Sequence, residues 1–589
     1  MKRPTRKRSS GGADGGIAVT APCRPEDNRA HDPDFVAQCS LPALQARLPL
    51  RWPVPPDVPP CPKRSYRSWY TYPVADVPAW QALLEPATWP ELDNFDLVLL
   101  LVDFAGLRPV LARRLHWTSA RGWRPFDPVS LFLLQAWQIV NGWNRTKTLQ
   151  NLQKKRYADY AQHFGFRQGV YPTEGGMRYF LTTLGRHSEV PGQTVQVKTD
   201  ENQVIEVAIQ FLNELLVSSV DLIRQAGLLS PQTWSQALVC PDGMLHEAAS
   251  HLHCASVQAS CYQPTTAQVP RPCPAKDKKR KGCDCDTLAC VQVCRHAPIR
   301  DAEARFVWYS GSNQRPDNPN RPTEEGPAAT KRGKGCYGYR SQSLLLSDPV
   351  RRFYVRLLSD FMTATAREEV PATAMLRQLE PFYPDLHLDV FAADAAYGYG
   401  VLLHTLYDMN VKRLVDLRAQ ATDADKANWP VRGYDNKGRP ICTYGYAFTS
   451  NGFDTQRRRH KWFCGKACLN GAKPAVEVAG VTYPPQACPY QRADLAHGRI
   501  LNVGECFGDG SRRLVRDVAY GSTLWEQLYH RARNASESRN ATCQHLDLKR
   551  LPVYGQSRGK ALIFLADTWS NLLTLARLVR EATFAAWDT

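Results

Sequence analysis

The segment LHLDVFAADAAYGYGVLLHTLYDMNVKRLVDLRA, residues 386–419, decides the fold of this chain. LHLDVFAADAA is a short apolar run with Asp394 near its carboxyl end, and it reads as a buried strand. YGVLLHTLYDMN has helical spacing, and VKRLVDLRA returns to a strand. Immediately upstream, PATAMLRQLEPFYP predicts a helix. Before it, RRFYVRLLSD and GYRSQSLLLSD predict two strands, the second showing alternation, and SQALVCPDGMLHEA predicts a third that carries Asp242.

Three strands, helix, strand, helix, strand is the order of an RNase H-like α/β core, so the expected fold class is α/β with an RNase H-like mixed sheet. Two cysteine-rich inserts interrupt it, residues 250–335 and 421–515. They leave 231–249 and 336–420 for the core and 516–589 for C-terminal helices that complete it. DPVSLFLLQAWQIVNGWNRTKTLQNLQKK, with Asp127 as N-cap and Pro128 at the first helical position, predicts a helix. With the amphipathic stretch ENQVIEVAIQFLNELLVSSVDLIRQAGL, stopped at Gly227, it predicts a helical DNA-binding domain over 91–230. Residues 1–90, centred on PVPPDVPPCPK, show no sustained period and predict a disordered or extended basic, Pro-rich arm.

Lys and Arg number 74 against 56 Asp and Glu, and the resulting net charge of +18 favours a polyanionic partner such as nucleic acid. The basic start MKRPTRKRSSGGADGG is not followed by an apolar signal-peptide core, which predicts a cytoplasmic protein. No run approaches the roughly 18 apolar residues needed to span a bilayer. FDLVLLLVDFAGL is the longest candidate, so no membrane partner is expected.

Asp242 and Asp394 sit at or near strand ends, where carboxylates can converge on a ligand in an open α/β sheet. In STLWEQLYHRARNASESRNATCQHL, Tyr529, Arg533 and Glu537 recur every four residues and share one helical face. Each acid alone has an ordinary structural role open to it: a turn at Asp242-Gly243, an N-cap at Asp394, a surface Arg/Glu pair at Glu537. Their joint order, strand, strand and helix, suits a pair of Mg²⁺ or Mn²⁺ ions. Such ions lie about 3.5–4 Å apart and stabilise the attacking and leaving oxygens of a phosphodiester.

Four stretches together resemble the DDE transposases of bacterial insertion sequences. They are the Asp242-Gly243 pair, GCYGYRSQSLLLSD at 335–348, ADAAYG at 393–398 and RRLVRDVAYGSTLWEQLYHRARNASE at 512–537. The resemblance implies that Asp242, Asp394 and Glu537 hold the ions and that Arg533 steadies a phosphate. It also implies that water first releases a 3′-hydroxyl at a transposon end, which then attacks target DNA. The implied partners are double-stranded DNA with terminal inverted repeats and target DNA, bound by a homodimer in a synaptic complex at the nucleoid of a prokaryote. The glutamate helix departs from the family pattern. Tyr529 lies four residues before Arg533, His530 holds the usual tyrosine position, and Gln544 replaces a lysine, with Lys549 or Arg550 as stand-ins. Two other readings remain: a transposase-derived DNA-binding regulator without activity, and an RNase H-like nuclease without strand transfer.

Of the 18 cysteines, seven lie in the first insert and five in the second, and this clustering favours structural Zn²⁺ over a disulfide scaffold in a reducing compartment. Candidate ligands are Cys283, Cys285, Cys290, Cys294 and His296 in the first insert, and Cys442, Cys464, Cys468 and Cys488 in the second. Beside them, Lys278, Lys279 and Arg280 in the first and Arg457, Arg458 and Arg459 in the second are candidate DNA contacts.

Overall fold

The computed structural model describes residues 41–55, 66–72, 85–117, 124–198, 203–249, 301–309, 334–348, 353–394, 400–415 and 523–587, apart from single positions. It also describes short stretches between 431 and 504 and isolated residues such as Tyr397. The chain is mixed α/β, and among the described residues there are several sheets and no closed barrel.

Helices α1 (Asn94–Leu101), α2 (Leu107–Arg114), α3 (Pro128–Val140), α4 (Arg145–Leu152), α5 (Ala158–His163) and α6 (Glu174–Arg186) come first. Asp127 caps α3 as expected: its carboxylate accepts from Val129 N at 3.1 Å, and Pro128 fills the first turn, where its missing N–H costs nothing. The long helical run predicted there is broken after Val140. Gly142 takes a positive φ of 60°, and Asn144 starts α4 by accepting from Lys147 N at 2.8 Å.

Two expectations for this half are corrected. VIEVAIQ is a strand, β2 (Val204–Gln210), paired antiparallel with β1 (Glu189–Lys198), and the helix α7 starts only at Leu212 (Leu212–Gln225). β-Branched Ile205, Val207 and Ile209 at alternate positions, with Val204 before them, favour the extended ladder. Gly227, at φ +71°, does close α7. Within residues 1–90, Leu44, Leu50, Trp52, Tyr66, Tyr70 and Trp89 are buried, so these parts pack onto the helices and are not disordered. Asp127 fixes one of them, accepting from Tyr70 N at 2.9 Å while pairing with buried Arg108 at 2.8 Å. Residues 1–40 lie outside the described residues.

After α8 (Pro231–Ser235) comes the main sheet. Its strands are β3 (Ala237–Glu247), β4 (Arg305–Tyr309), β5 (Lys334–Asp348), β6 (Phe353–Thr363), β7 (Leu388–Ala393) and β8 (Lys412–Val415). Helices α9 (Glu369–Phe382) and α10 (Gly400–Asp408) connect β6 to β7 and β7 to β8. The spatial order is β8, β7, β3, β5, with β6 and β4 both pairing with β5. β3, β5 and β6 run antiparallel, and β7 and β8 are parallel to β3. The predicted succession of three strands, helix, strand, helix and strand is present, with β4 added within the first insert.

The second insert contributes the antiparallel pair β9 (Val431–Tyr434) and β10 (Pro440–Cys442). It also forms an antiparallel sheet of β11 (Thr449–Asp454), β12 (Arg459–Phe463) and β13 (Ile500–Gly504). The chain ends in α11 (Thr523–His545) and α12 (Gln556–Trp587).

Helix α12 ties the halves together. It packs on α1, α6, α7 and β6. Trp569 is fully buried, with ring centroids 5.1 Å from Phe95 and 5.8 Å from Phe104, so one hydrophobic cluster runs through both halves. The sequence reading overlooked this helix as a bilayer candidate. Gln556–Thr583 is long and apolar enough to cross a membrane, but 83 % of its apolar window is buried inside the protein.

Candidate active site

Helix α11 is amphipathic in an unusual way, and that sets the site. Ala532 and Ala535 face the sheet and pack on Leu238, Cys240, Val390, Ala392 and Leu414 from β3, β7 and β8. Such short side chains let the helix backbone come close enough for Cys240 Sγ to donate to the Ala532 carbonyl at 3.3 Å. Arg539 continues the inward stripe one turn on, fully buried.

Where β3, β7 and α11 meet there is a cavity of about 170 Å³, lined by Asp242, Gly243, Glu368, Asp394, Tyr397, Tyr529 and Arg533 among others. Asp242 lies within β3, opposite Ser343 of β5. Asp394 follows β7 directly. Because β3 and β7 are parallel neighbours, both carboxylates reach the same opening.

Asp242 is 8 % exposed. Its Oδ1 accepts from Asn540 Nδ2 at 3.4 Å, while its buried Oδ2 accepts no hydrogen bond. Arg539 Nη1 is 3.9 Å from that Oδ2. Burial pushes the Asp242 carboxyl up to about 7; Arg539 pulls it down and the neighbouring Asp394 pushes it up again.

Arg533 bridges the other two predicted acids. Its Nη1 is 3.6 Å from Asp394 Oδ2, and its Nε is 3.3 Å from Glu537 Oε1. The Glu537 side chain is 65 % exposed and does not line the cavity. Among the described residues, no three His, Cys, Asp or Glu side chains are grouped closely enough to hold one ion. Asp242, Asp394, Arg533 and Tyr529 are therefore brought together, with Glu537 attached to them through Arg533.

A buried network backs this surface. Arg539 Nη2 donates to Ser341 Oγ at 2.9 Å and stands 3.4 Å from Asp567 of α12. Asp567 also pairs with Arg356 at 2.9 Å and accepts from Ser359 at 2.8 Å. Burial raises the Asp567 carboxyl, but Arg539 and Arg356 outweigh it and hold it below its ordinary range. Burial likewise lowers Arg539, and Asp567 more than restores its charge.

Arg539, Asn540, Glu368 and Tyr397 carry no role in the sequence reading. For Arg539 a signal existed: it falls four residues from each of the flanking inward positions Ala535 and Cys543, and a cation on an apolar stripe demands buried partners.

The remaining predicted residues lie elsewhere. Lys549 and Arg550 are exposed at the far end of β3, where the Lys549 carbonyl accepts from Glu247 N at 2.7 Å. Arg457 is exposed; Arg459 Nε is 3.4 Å from Asp454. Cys442, Cys464, Cys468 and Cys488 are half-buried and form no disulfide among the described residues. Cys442 Sγ accepts from the amides of Tyr444 and Tyr446, both at 3.4 Å. Lys278, Lys279, Arg280, Arg458, Cys283, Cys285, Cys290, Cys294 and His296 lie outside the described residues.

The donor set fits a hard divalent cation. Among the described residues, a buried carboxylate oxygen without a hydrogen bond, beside a second carboxylate on the wall of the same cavity, has no positive partner nearer than 3.9 Å. Comparison with protein-family models, with curated proteins and with solved structures finds no match for the chain.

Proposed function

We propose that this chain is a DDE-type DNA transposase with an RNase H-like core, cutting transposon ends and joining them to target DNA. The observation that carries the reading is the meeting of Asp242 and Asp394, from adjacent parallel strands, in one cavity beside Arg533 of α11. An RNase H-like assignment is supported by the order β3, β5, β6, α9, β7, α10, β8 and by the parallel attachment of β7 to β3.

Bound Mg²⁺ or Mn²⁺ would activate the attacking oxygen and offset charge on the leaving one. Asp242 and Asp394 are the residues to hold it, with Glu537 as the third acid. Arg533 is half-exposed between Asp394 and Glu537 and suits a scissile-strand phosphate, whose arrival would compete for its carboxylate contacts. Tyr529 lines the same cavity and suits a base or sugar beside that phosphate. The net charge of +18 supports a long DNA footprint, supplied in part by Arg457, Lys549 and Arg550.

For the second insert we propose that Cys442, Cys464, Cys468 and Cys488 bind a structural Zn²⁺, which would draw together thiols that the described residues do not group around one ion. Burial raises the Cys442 thiol, while the amides of Tyr446 and Tyr444 pull it down, so a bound cation would be needed to hold it as thiolate; among the described residues of the β11–β12–β13 sheet few apolar side chains are buried.

The test of function is cleavage and joining of DNA carrying the inverted repeats that flank the reading frame, with Mg²⁺ supplied. Wild-type protein should nick the ends and join 3′-ends to a second duplex, and Asp242→Asn or Asp394→Asn should do neither. Cleavage without joining would make the chain a nuclease, and Mg²⁺-dependent cleavage surviving in Asp242→Asn would end the assignment.

A further inference from the structure

Glu368 lies at the N-cap of α9 and on the cavity wall. Its carboxylate is ion-paired with Arg340 of β5 and hydrogen-bonded by the Tyr397 hydroxyl. Gln342, fully buried on β5, completes the group: its Nε2 donates to Tyr397 Oη at 3.0 Å and to the Glu368 carbonyl at 3.1 Å. Tyr397 is 3 % exposed, and its backbone N–H donates to the Asp394 carbonyl at 3.1 Å. That last bond closes the turn on which Asp394 is carried.

The group adjoins the Asp242 strand directly. A Cβ on Gly243 would stand 3.5 Å from Tyr397 Oη and 3.6 Å from Glu368 Oε2, so the absence of a side chain at Gly243 leaves the hydroxyl and carboxylate open to the cavity. A buried ion pair is weak evidence of stabilisation, because apolar residues of similar volume do as well or better. Here, moreover, the Glu368 charge opposes that of Asp394. A carboxylate kept at that cost, and hydrogen-bonded to the tyrosine that closes the Asp394 turn, is better accounted for by what it orients.

We propose that Glu368 is a positioning residue: through Tyr397 it fixes the turn that directs Asp394 at the cavity, and so sets how tightly a divalent cation binds there. The inference rests on Asp242 and Asp394 being the cation-holding pair. Arg340 balances the Glu368 charge, and Gln342 holds Tyr397 Oη in line with it.

The test is Mn²⁺ binding to the full chain without DNA, followed by the electron paramagnetic resonance of free Mn²⁺, with the thermal midpoint measured alongside. Asp242→Asn and Asp394→Asn should each abolish binding. Tyr397→Phe, which removes a single oxygen, should weaken Mn²⁺ binding about tenfold with the thermal midpoint shifted by only a few degrees. Glu368→Ala should weaken it as much, Glu368→Gln less because the amide oxygen still accepts from the hydroxyl, and Tyr397→Phe/Glu368→Ala no more than either alone. If Tyr397→Phe and Glu368→Ala bind Mn²⁺ within twofold of wild type, whatever their midpoints, the inference fails and the cation pair stands. Additive losses in the double variant would likewise remove Tyr397 as the link. If Asp242→Asn and Asp394→Asn leave Mn²⁺ binding unchanged, the cation pair itself is wrong and the inference falls with it.

Discussion

Arg539 Nη1 stands 3.9 Å from Asp242 Oδ2, from a guanidinium that is fully buried and held at its other edge by Asp567. The cation nearest the unsatisfied oxygen of Asp242 is thus part of the fold, anchored to the C-terminal helix. Replacing Arg539 by Met should leave Asp567 and Asp242 short of positive charge in a low-dielectric interior. Removing one partner from a buried pair costs about 3–5 kcal/mol. Urea denaturation should show a loss of that order, and Asp567→Asn should show a similar one.

Asp242 itself should destabilise the cation-free protein. Its carboxyl is raised to about 7, chiefly by burial, from an ordinary value near 4. Between those two pH values the folded chain binds more protons than the unfolded one, so this site's contribution to stability declines as pH rises from about 4 to about 7. Asp242→Asn should therefore stabilise the cation-free protein at pH 8 by up to about 4 kcal/mol and have little effect at pH 4. Equal effects at the two pH values would contradict this account. Saturating Mn²⁺ should reverse the sign at pH 8, because only wild type gains from binding.

His246 works in the opposite direction. It is buried on β3 with one ring nitrogen on Ser341 Oγ at 2.7 Å and the other on the Leu548 carbonyl at 2.8 Å. Burial pulls its pKa down to about 4. The unfolded chain takes up the proton first, so stability present above about 6.5 is lost as pH falls towards 4, to a total of about 3 kcal/mol. Denaturation at pH 7, 5.5 and 4.5 should show this slope, and His246→Asn should flatten it.

How much of this site is readable from sequence depends on how far apart its partners lie. Asp394 is legible because the strand, the acid and the helix after it are contiguous, and local periodicity identifies each. Gly227 is legible for the same reason. Glu368 is not: its partner Arg340 lies 28 residues earlier on another strand, and only the β5 register and the α9 start bring them together. The β1–β2 pair is hidden because Ile209, Phe211 and Leu212 carry apolar character across the junction of strand and helix, interrupted only at Gln210. Residue types announce elements, whereas the polar network around Asp567 depends on the tertiary meeting of β5, β6, α11 and α12.

Metal content separates the second insert from the catalytic cavity. If Cys442, Cys464, Cys468 and Cys488 hold Zn²⁺, purified chain should contain tightly bound zinc that survives dialysis against Mg²⁺. Cys442→Ser and Cys488→Ser should each lose that zinc while Mn²⁺ binding at the cavity persists. Zinc retained in both variants would count against this ligand set.

The close seat of α11 on the sheet is the last feature open to a direct test. Ala535 is 4 % exposed and packs among Leu238, Cys240, Val390 and Leu414. Leucine there adds three carbons to a contact with no room for them, at a cost of about 1–3 kcal/mol. More telling than the cost is its direction, since relief comes most cheaply by moving α11 outwards and carrying Arg533 and Glu537 with it. Asp242 and Asp394 belong to β3 and β7 and would stay in place. Ala535→Leu should accordingly keep Mn²⁺ binding within a few-fold of wild type but lose DNA cleavage by a hundredfold or more, since about 1 Å of misplacement costs on the order of 10²-fold. Parallel titration of Mn²⁺ and of end-cleavage rate in this variant would reveal the split, and equal losses in both would mean that α11 also holds the cation.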